Sequence, residues 1–178
     1  MHAQTALSLD IGNAWGHSAL GMVYMFKHQL EAAGPHLEKS VALNPADVEV
    51  AAVHATWLSR MGRTREALEN IDNAVCRDPF MHDWYWEARS IPLLQEKRFN
   101  EVIETVNRMT RRQAWNHYAL AIAYAHLGMA QEAQNHAAEV LRLKPDYSEQ
   151  WVVVQEPYRN PADLQNLLEG LRKAGLPA

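Results

Sequence analysis

Apolar positions recur along most of the chain at intervals of three and four residues, which is the spacing of one face of an α-helix. The pattern predicts helices that come in pairs. The first helix of a pair carries a small residue followed three positions later by a large one, as in Gly21 and Tyr24 or Ala121 and Tyr124. β-Branched residues are few outside the stretch 151–154. The chain is therefore expected to be all-α.

The helix pairs repeat with a period of 34 residues. Pro45 and Pro79 lie 34 residues apart, and Pro145 follows 66 residues later, after two shortened periods. Two columns of apolar residues keep the same spacing: Ala33, Ala67, Val102 and Ala133 form one, and Leu37, Ile71, Val106 and Ala137 form the other. These prolines mark the ends of second helices, because a proline cannot continue the helix that precedes it. Gly62 and Gly128 fall between the two helices of a pair and are predicted to adopt the left-handed conformation that ends the first.

Three segments carry these columns: LGMVY…AAGPHLEKSVALNP (20–45), GRTREALENIDNAVCRDP (62–79) and LAIAYAHLGMAQEAQNHAAEVLRLKP (120–145). They resemble the tetratricopeptide repeat family. The resemblance implies an α-solenoid, a right-handed superhelix of antiparallel helix pairs whose first helices line a concave groove. The third unit departs from the pattern, since it gains one residue before Lys97, loses three near Thr110 and lacks the closing proline.

The expected organisation is a repeat array over residues 1–156 followed by a C-terminal capping helix over 157–178. Within the array we expect a half repeat at 1–10, repeats at about 14–45, 48–79, 83–110 and 114–145, and a partial repeat at 148–156. Residues 2–10 look like the second helix of a repeat whose first helix is absent, which predicts a longer parent protein. A native N-terminal helix is the alternative. In the tail, Asn160 and Pro161 have the residue types that begin a helix, and Leu164, Leu167, Leu168 and Leu171 form its apolar stripe.

Composition and charge exclude several classes of function for this chain. The formal charge of −4 and the pI near 6.1 leave no basic surface for nucleic acid. No apolar run reaches the roughly 20 residues of a membrane helix, and the first residues lack the pattern of a signal peptide. The single cysteine, Cys76, excludes an internal disulfide and the usual cysteine-based zinc sites. We therefore expect a cytoplasmic protein that binds neither nucleic acid nor a membrane.

The motifs of common enzymes are missing from the sequence. It contains no GxGxxG, no GxxxxGKS/T, no GxSxG and no HExxH. The nine histidines show no ligand-pair spacing, and His17 and His117 occupy equivalent positions of two first helices, which favours a packing role. We expect no enzymatic activity, no cofactor and no metal in this chain.

The candidate functional surface is the groove, into which the second, fifth and ninth residues of each first helix point in this family. The predicted lining is Trp15, Ser18, Met22, Glu49, Thr56, Trp84, Glu87, Ile91, Trp115, Tyr118 and Ile122. Aromatic and methionine side chains anchor partners through large apolar contacts, so the lining predicts a protein or peptide partner. The alternative is that the tryptophans pack between neighbouring repeats.

Some tetratricopeptide proteins clamp an acidic C-terminus with basic residues in this groove. The corresponding positions here hold Ser18, Met22, Ala52 and Val53. None of these is a cation, so an acidic tail is disfavoured as the ligand.

The stretch EPYRNPADLQNLLEGLRKAGLP (156–177) resembles the C-terminus of bacterial signalling proteins. In these, a tetratricopeptide array follows a class III adenylate/guanylate cyclase domain or a winged-helix regulator domain. The resemblance implies a scaffolding or sensory part of a signalling protein. The alternative is a regulatory segment that acts on its own N-terminal domain.

A lost first helix would leave an apolar edge uncovered at the start of the array. That edge would include Leu7, Leu9, Val23 and Leu30. Apolar area left in water favours association with the same edge of a second molecule, so the sequence predicts a homodimer.

Overall fold

Helices make up the regular structure of the computed structural model, which describes residues 10–77 and 82–177. In chain order they are α1 Ala14–Phe26, α2 Leu30–Leu43, α3 Val48–Arg60, α4 Thr64–Val75, α5 Asp83–Gln95, α6 Phe99–Asn107, α7 Ala114–His126, α8 Ala130–Leu143, α9 Glu149–Gln155 and α10 Pro161–Lys173. Neither described range contains a β-strand, so the all-α prediction is confirmed. The predicted half repeat with Leu7 and Leu9 lies outside the described residues apart from Asp10, and so does Pro79.

The first eight helices stack as successive pairs. Each first helix packs on its own second helix, and the first helices also pack on one another in the order α1, α3, α5, α7. Each second helix packs on the first helix of the following pair. This arrangement is the predicted α-solenoid, in which one face is formed by first helices alone.

The repeat columns form the core between the helices. Ala33, Ala67 and Val102 are fully buried, and so are their larger companions Leu37 and Ile71. At Gly21 the two helices of the first pair approach so closely that an added Cβ would lie 2.5 Å from Cγ of Leu37. The small residues of the columns are therefore required by the close approach of the helices.

Each of the four pairs turns through one residue with a positive φ. The angle is 59° at His28, 78° at Gly62, 58° at Lys97 and 77° at Gly128. The prediction for Gly62 and Gly128 is confirmed. His28 and Lys97 adopt the same conformation despite their Cβ atoms, which makes these two turns more costly.

The third pair ends differently from the others. α6 stops after nine residues, as the deletion near Thr110 suggests. The carboxylate of Asp83 accepts hydrogen bonds from the backbone N–H groups of Thr110 at 2.7 Å and Arg111 at 2.8 Å. Burial alone would raise the pKa of Asp83, but these bonds hold it below its ordinary value. Asp83 thus fixes a turn that carries no proline.

The C-terminal segment, residues 154–177, turns back across the inner face of the solenoid. Asn160 caps α10 by accepting a hydrogen bond from the Ala162 N–H at 3.1 Å, and the stripe residues Leu167, Leu168 and Leu171 are buried. α10 packs on α7 and α5. It therefore covers the inner face of the third and fourth pairs, whereas its closure of the array's end stays a prediction.

Candidate functional site: the inner cavity

The inner face of the first helices and the C-terminal segment together enclose a cavity of about 730 Å³. α1, α3, α5 and α7 form one wall. Residues 155–173 contribute to the other. We call this space the inner cavity, and its walls are mainly aromatic and aliphatic with a few charged groups.

Nine of the eleven residues predicted from the sequence line the inner cavity: Met22, Glu49, Thr56, Trp84, Glu87, Ile91, Trp115, Tyr118 and Ile122. In α5 and α7 they occupy the second, fifth and ninth helical positions, so Trp84, Glu87 and Ile91 repeat as Trp115, Tyr118 and Ile122. Equivalent positions of neighbouring repeats therefore face one space. That these residues contact a partner remains a prediction.

Trp15 and Ser18 lie outside the inner cavity, contrary to the predicted lining. Ser18 is buried at 2 % exposure, and Trp15 is 51 % exposed. The reason is that the C-terminal segment contacts the first pair only beyond the end of α1. There His28 Nε2 donates a hydrogen bond to the backbone oxygen of Val154 at 2.7 Å. The N-terminal half of α1 therefore falls outside the enclosed space.

A buried network holds the end of α9 and the chain that leads to α10 against the first helices; we call residues 154–160 the closing segment. Arg60 Nη1 lies 2.7 Å from Glu156 Oε2, and the two side chains are only 11 % and 14 % exposed. Tyr118 OH donates to Glu156 Oε1 at 2.9 Å, and the Arg159 N–H donates to the backbone oxygen of Arg60 at 2.9 Å. Burial, and then the charge of Glu156, raises the pKa of Tyr118, so this phenol remains a donor.

Glu87 is a second carboxyl group in the wall of the inner cavity. Burial raises the pKa of Glu87, while hydrogen bonds from the side chains of Trp115 and Asn116 act in the opposite direction. None of the ion pairs among the described residues includes Glu87. Its carboxylate forms no ion pair in this part of the chain, although the charge of Arg60 reaches it and acts to lower its pKa.

Several cavity residues were missed by the sequence analysis, including Met25, Phe26, Val53, Arg60, Phe99, Trp151 and Tyr158. Val53 and Arg60 follow Glu49 by four and eleven residues, a spacing that places all three on one helical face. That spacing could have identified Val53 and Arg60 as cavity residues. No sequence pattern identifies the residues of the closing segment, because its position depends on the curvature of the whole array.

Two further features, a metal-ligand cluster and a membrane-spanning helix, are expected from the sequence to be absent. Within residues 10–77 and 82–177 no three histidine, cysteine, aspartate or glutamate side chains converge as metal ligands. In the same ranges no helix has both the length and the apolar character needed to cross a membrane.

The stacked helix pairs and their concave face define a tetratricopeptide-type α-solenoid. Residues 17–47 match the tetratricopeptide repeat family. A comparison with curated proteins gave no match.

Solved structures share this fold over nearly the whole chain. YrrB, described as a tetratricopeptide protein with an unusual peptide-binding site, superposes with a TM-score of 0.62 at 15% identity, covering 98% of this chain and 91% of YrrB. PilW, a type IV pilus biogenesis factor, gives a TM-score of 0.73 at 13% identity and coverages of 97% and 78%. MamA from Desulfovibrio magneticus RS-1 superposes with a TM-score of 0.62 at 15% identity, covering 91% of this chain and 93% of the MamA chain. These likenesses show the fold, whereas the resemblance to cyclase and winged-helix proteins is not shown by them.

Proposed function

We propose that this chain is a non-catalytic protein-interaction module that binds a peptide or protein segment in the inner cavity. The observation that carries the proposal is the lining of one enclosed space by matching positions of α3, α5 and α7. Tryptophan, tyrosine and isoleucine at these positions of α5 and α7 supply large apolar contact areas, which dominate binding at protein interfaces. The shared fold with YrrB, a protein described by its peptide-binding site, supports the same use of the groove.

The size of the cavity limits what enters it. A volume of about 730 Å³ lies within the range of roughly 300–1,000 Å³ that is typical of sites for small ligands. It holds a few side chains and not a folded domain. The partner is therefore proposed to present a short segment.

A binding experiment with selected peptides tests this function. Dodecapeptides displayed on phage are selected on the immobilised chain, and their affinities are measured by calorimetry. Trp84→Ala should weaken binding by more than about 1 kcal/mol if Trp84 is an anchor. Leu141→Ala is the matched control, since Leu141 is 38 % exposed on α8 and lies outside the cavity. Equal affinities for wild type and a folded Trp84→Ala protein would count against binding in the cavity.

We extend the proposal to a scaffolding or sensory role in a bacterial signalling protein in the cytoplasm. The resemblance of residues 156–177 to the tails of such proteins supports the role, and the single cysteine is compatible with a reducing compartment. Action on an N-terminal domain of the same polypeptide is the alternative within this class.

A homodimer through the N-terminal edge is also part of the proposal. Ile11, Trp15 and Val23 are 80 %, 51 % and 44 % exposed, so this end of the described structure presents apolar side chains to solvent. Leu30 is only 4 % exposed and does not belong to the edge. Among the described residues the edge is therefore formed by α1 and Ile11.

A further inference from the structure

We propose that the inner cavity selects a segment with a basic side chain, lysine or arginine, between apolar neighbours, and that Glu87 is the counter-ion of that side chain. The inference rests on the proposed function, because it names the chemistry of the segment that the cavity would bind.

The charges around the cavity favour a cationic guest. Its lining carries five carboxyl groups, of Glu49, Glu87, Glu156, Asp163 and Glu169, against three permanent cations, of Arg60, Lys97 and Lys173. Arg60 is already paired with Glu156. A guest cation would therefore meet an excess of negative charge.

The remaining charges are separated along the cavity. Lys97 follows the C-terminal end of α5, and Lys173 approaches His126 at the C-terminal end of α7, with 3.4 Å between Nζ and Nδ1. Glu49 and Glu87 belong instead to the N-terminal halves of α3 and α5. Since helix residues rise about 1.5 Å each, the last residue of α5, Gln95, lies roughly 12 Å along the helix from Glu87, and Lys97 follows it. Apart from Arg60, which is paired with Glu156 and whose charge also acts on Glu87, the acidic end of the cavity has no lysine or arginine of its own.

The tryptophans at this acidic end also lack a cation. Elsewhere in the chain three tryptophan rings have one: Arg63 lies over Trp57, Arg108 over Trp86 and Lys144 over Trp151, at 5.6, 5.0 and 4.5 Å from the ring centroids. No such contact is found for Trp84 or Trp115 among the described residues, and the remaining residues include no lysine or arginine.

A basic side chain satisfies the carboxylate and the rings at once. Trp84 precedes Glu87 by three residues and so lies on the same helical face, while Trp115 lines the same cavity and its side chain acts to lower the pKa of Glu87. A cation beside Glu87 is therefore within reach of two indole rings, which attract it through their π-electrons. The aliphatic stem of lysine or arginine packs on the same apolar walls.

Three matched peptides test the inference on the full chain at pH 7. They are capped pentapeptides of sequence Ala-Leu-Xaa-Leu-Ala, in which Xaa is arginine, its uncharged analogue citrulline, or glutamate. Calorimetry should give an affinity for the arginine peptide about tenfold higher than for the citrulline peptide, and weakest binding for glutamate. Glu87→Gln should remove the preference for arginine. Glu104→Gln should retain it, because this exposed residue of α6 changes the net charge equally and lies outside the cavity.

A second measurement uses the unchanged protein, so it does not depend on the folding of a variant. The pKa of Glu87, followed by carbon NMR, should fall when the arginine peptide is added and stay constant with the citrulline peptide. Equal affinities for all three peptides would overturn the inference and leave the proposed function standing. An arginine preference that survives in Glu87→Gln would overturn the role of Glu87. No binding of any of the three would overturn both the inference and short-peptide binding in the cavity.

Discussion

His17 Nδ1 and His36 Nδ1 lie 3.0 Å apart within the first helix pair, and His117 and His136 repeat this contact at 3.0 Å in the fourth. In both pairs a tyrosine, Tyr24 or Tyr124, stacks on the second ring. One Nδ1 must donate and the other must accept, so at least one imidazole of each pair is neutral. The packing role predicted for His17 and His117 thus takes the form of a histidine pair that needs a neutral ring.

Acid is expected to destabilise the fold through these histidines. Burial, as the largest cause, lowers the pKa of His36, His117 and His136, and it lowers that of His54 to about 4. The unfolded chain therefore binds more protons below its pKa of about 6.5, and stability falls as the pH drops through that value toward the folded pKa values. A tenfold difference in proton affinity corresponds to about 1.4 kcal/mol.

Urea unfolding at pH 7, 6 and 5 measures this dependence. The double variant His36→Gln, His136→Gln should lose less stability than wild type over this interval, and His82→Gln, at an exposed position, should match wild type. The raised pKa of Glu87, due mainly to burial, acts in the opposite direction, so the difference between variant and wild type is the decisive quantity. If the free energy of unfolding falls with pH equally in the double variant and in wild type, the role of the histidine pairs is refuted.

Gly21→Ala should destabilise the protein although alanine favours helices. The added methyl group would overlap the Leu37 side chain, and such overpacking costs about 1–3 kcal/mol. Denaturant unfolding measures the loss. In a Leu37→Ala background the same change should cost less, because the obstacle is gone. A higher midpoint for Gly21→Ala alone would show that the helices separate without penalty.

Lys97→Gly should stabilise the protein by about 1 kcal/mol, since glycine adopts a positive φ without the cost that a Cβ imposes. Lys97→Ala is the matched control: it removes the same charge and keeps the Cβ at φ 58°. Thermal unfolding of the three proteins gives the comparison. If the alanine and glycine variants are stabilised equally, the loss of the charge and not the backbone conformation is responsible.

Glu156→Gln should loosen the closing segment. Removing one partner of a buried ion pair leaves the other charge uncompensated, at a cost of about 3 kcal/mol. The amide of Arg159, which donates to the Arg60 oxygen, should then exchange its hydrogen at least about tenfold faster. Glu31→Gln removes only the exposed pair between Glu31 and Arg159 at 3.6 Å and should leave the rate unchanged. Unaltered exchange in Glu156→Gln would mean that the ion pair with Arg60 is not what holds the segment.

Self-association is expected to depend on concentration. The exposed rings and aliphatic side chains around Trp15 and Ile11 lower the free energy when they leave water, by about 25 cal/mol for each Å². Light scattering over a dilution series should show a dimer that dissociates on dilution, and Trp15→Ser with Ile11→Ser should shift it toward monomer. A 20.2 kDa species at every concentration would contradict the dimer.

The repeat pattern was sufficient to anticipate the helices, the small-residue columns and nine of the residues that line the cavity. Each depends on residues close in sequence. A helix with apolar residues at intervals of three and four buries one face wherever it lies, and the left-handed turn at Gly62 or Gly128 needs only the local chain. The second, fifth and ninth positions of α5 and α7 face one side of the array for the same reason.

The closing segment and the limits of the cavity could not be anticipated in this way. Glu156 meets Arg60 across 96 residues, and Val154 meets His28 across 126. These contacts depend on the rotation between successive pairs, summed over four pairs and altered by the short α6. A small change of angle at each stacking step moves the last helix by many ångströms, and the hydrophobic pattern of a single pair does not encode that angle. For this reason the pattern assigned Trp15 and Ser18 to the same lining as the other groove residues, whereas the inner cavity of the folded array does not include them.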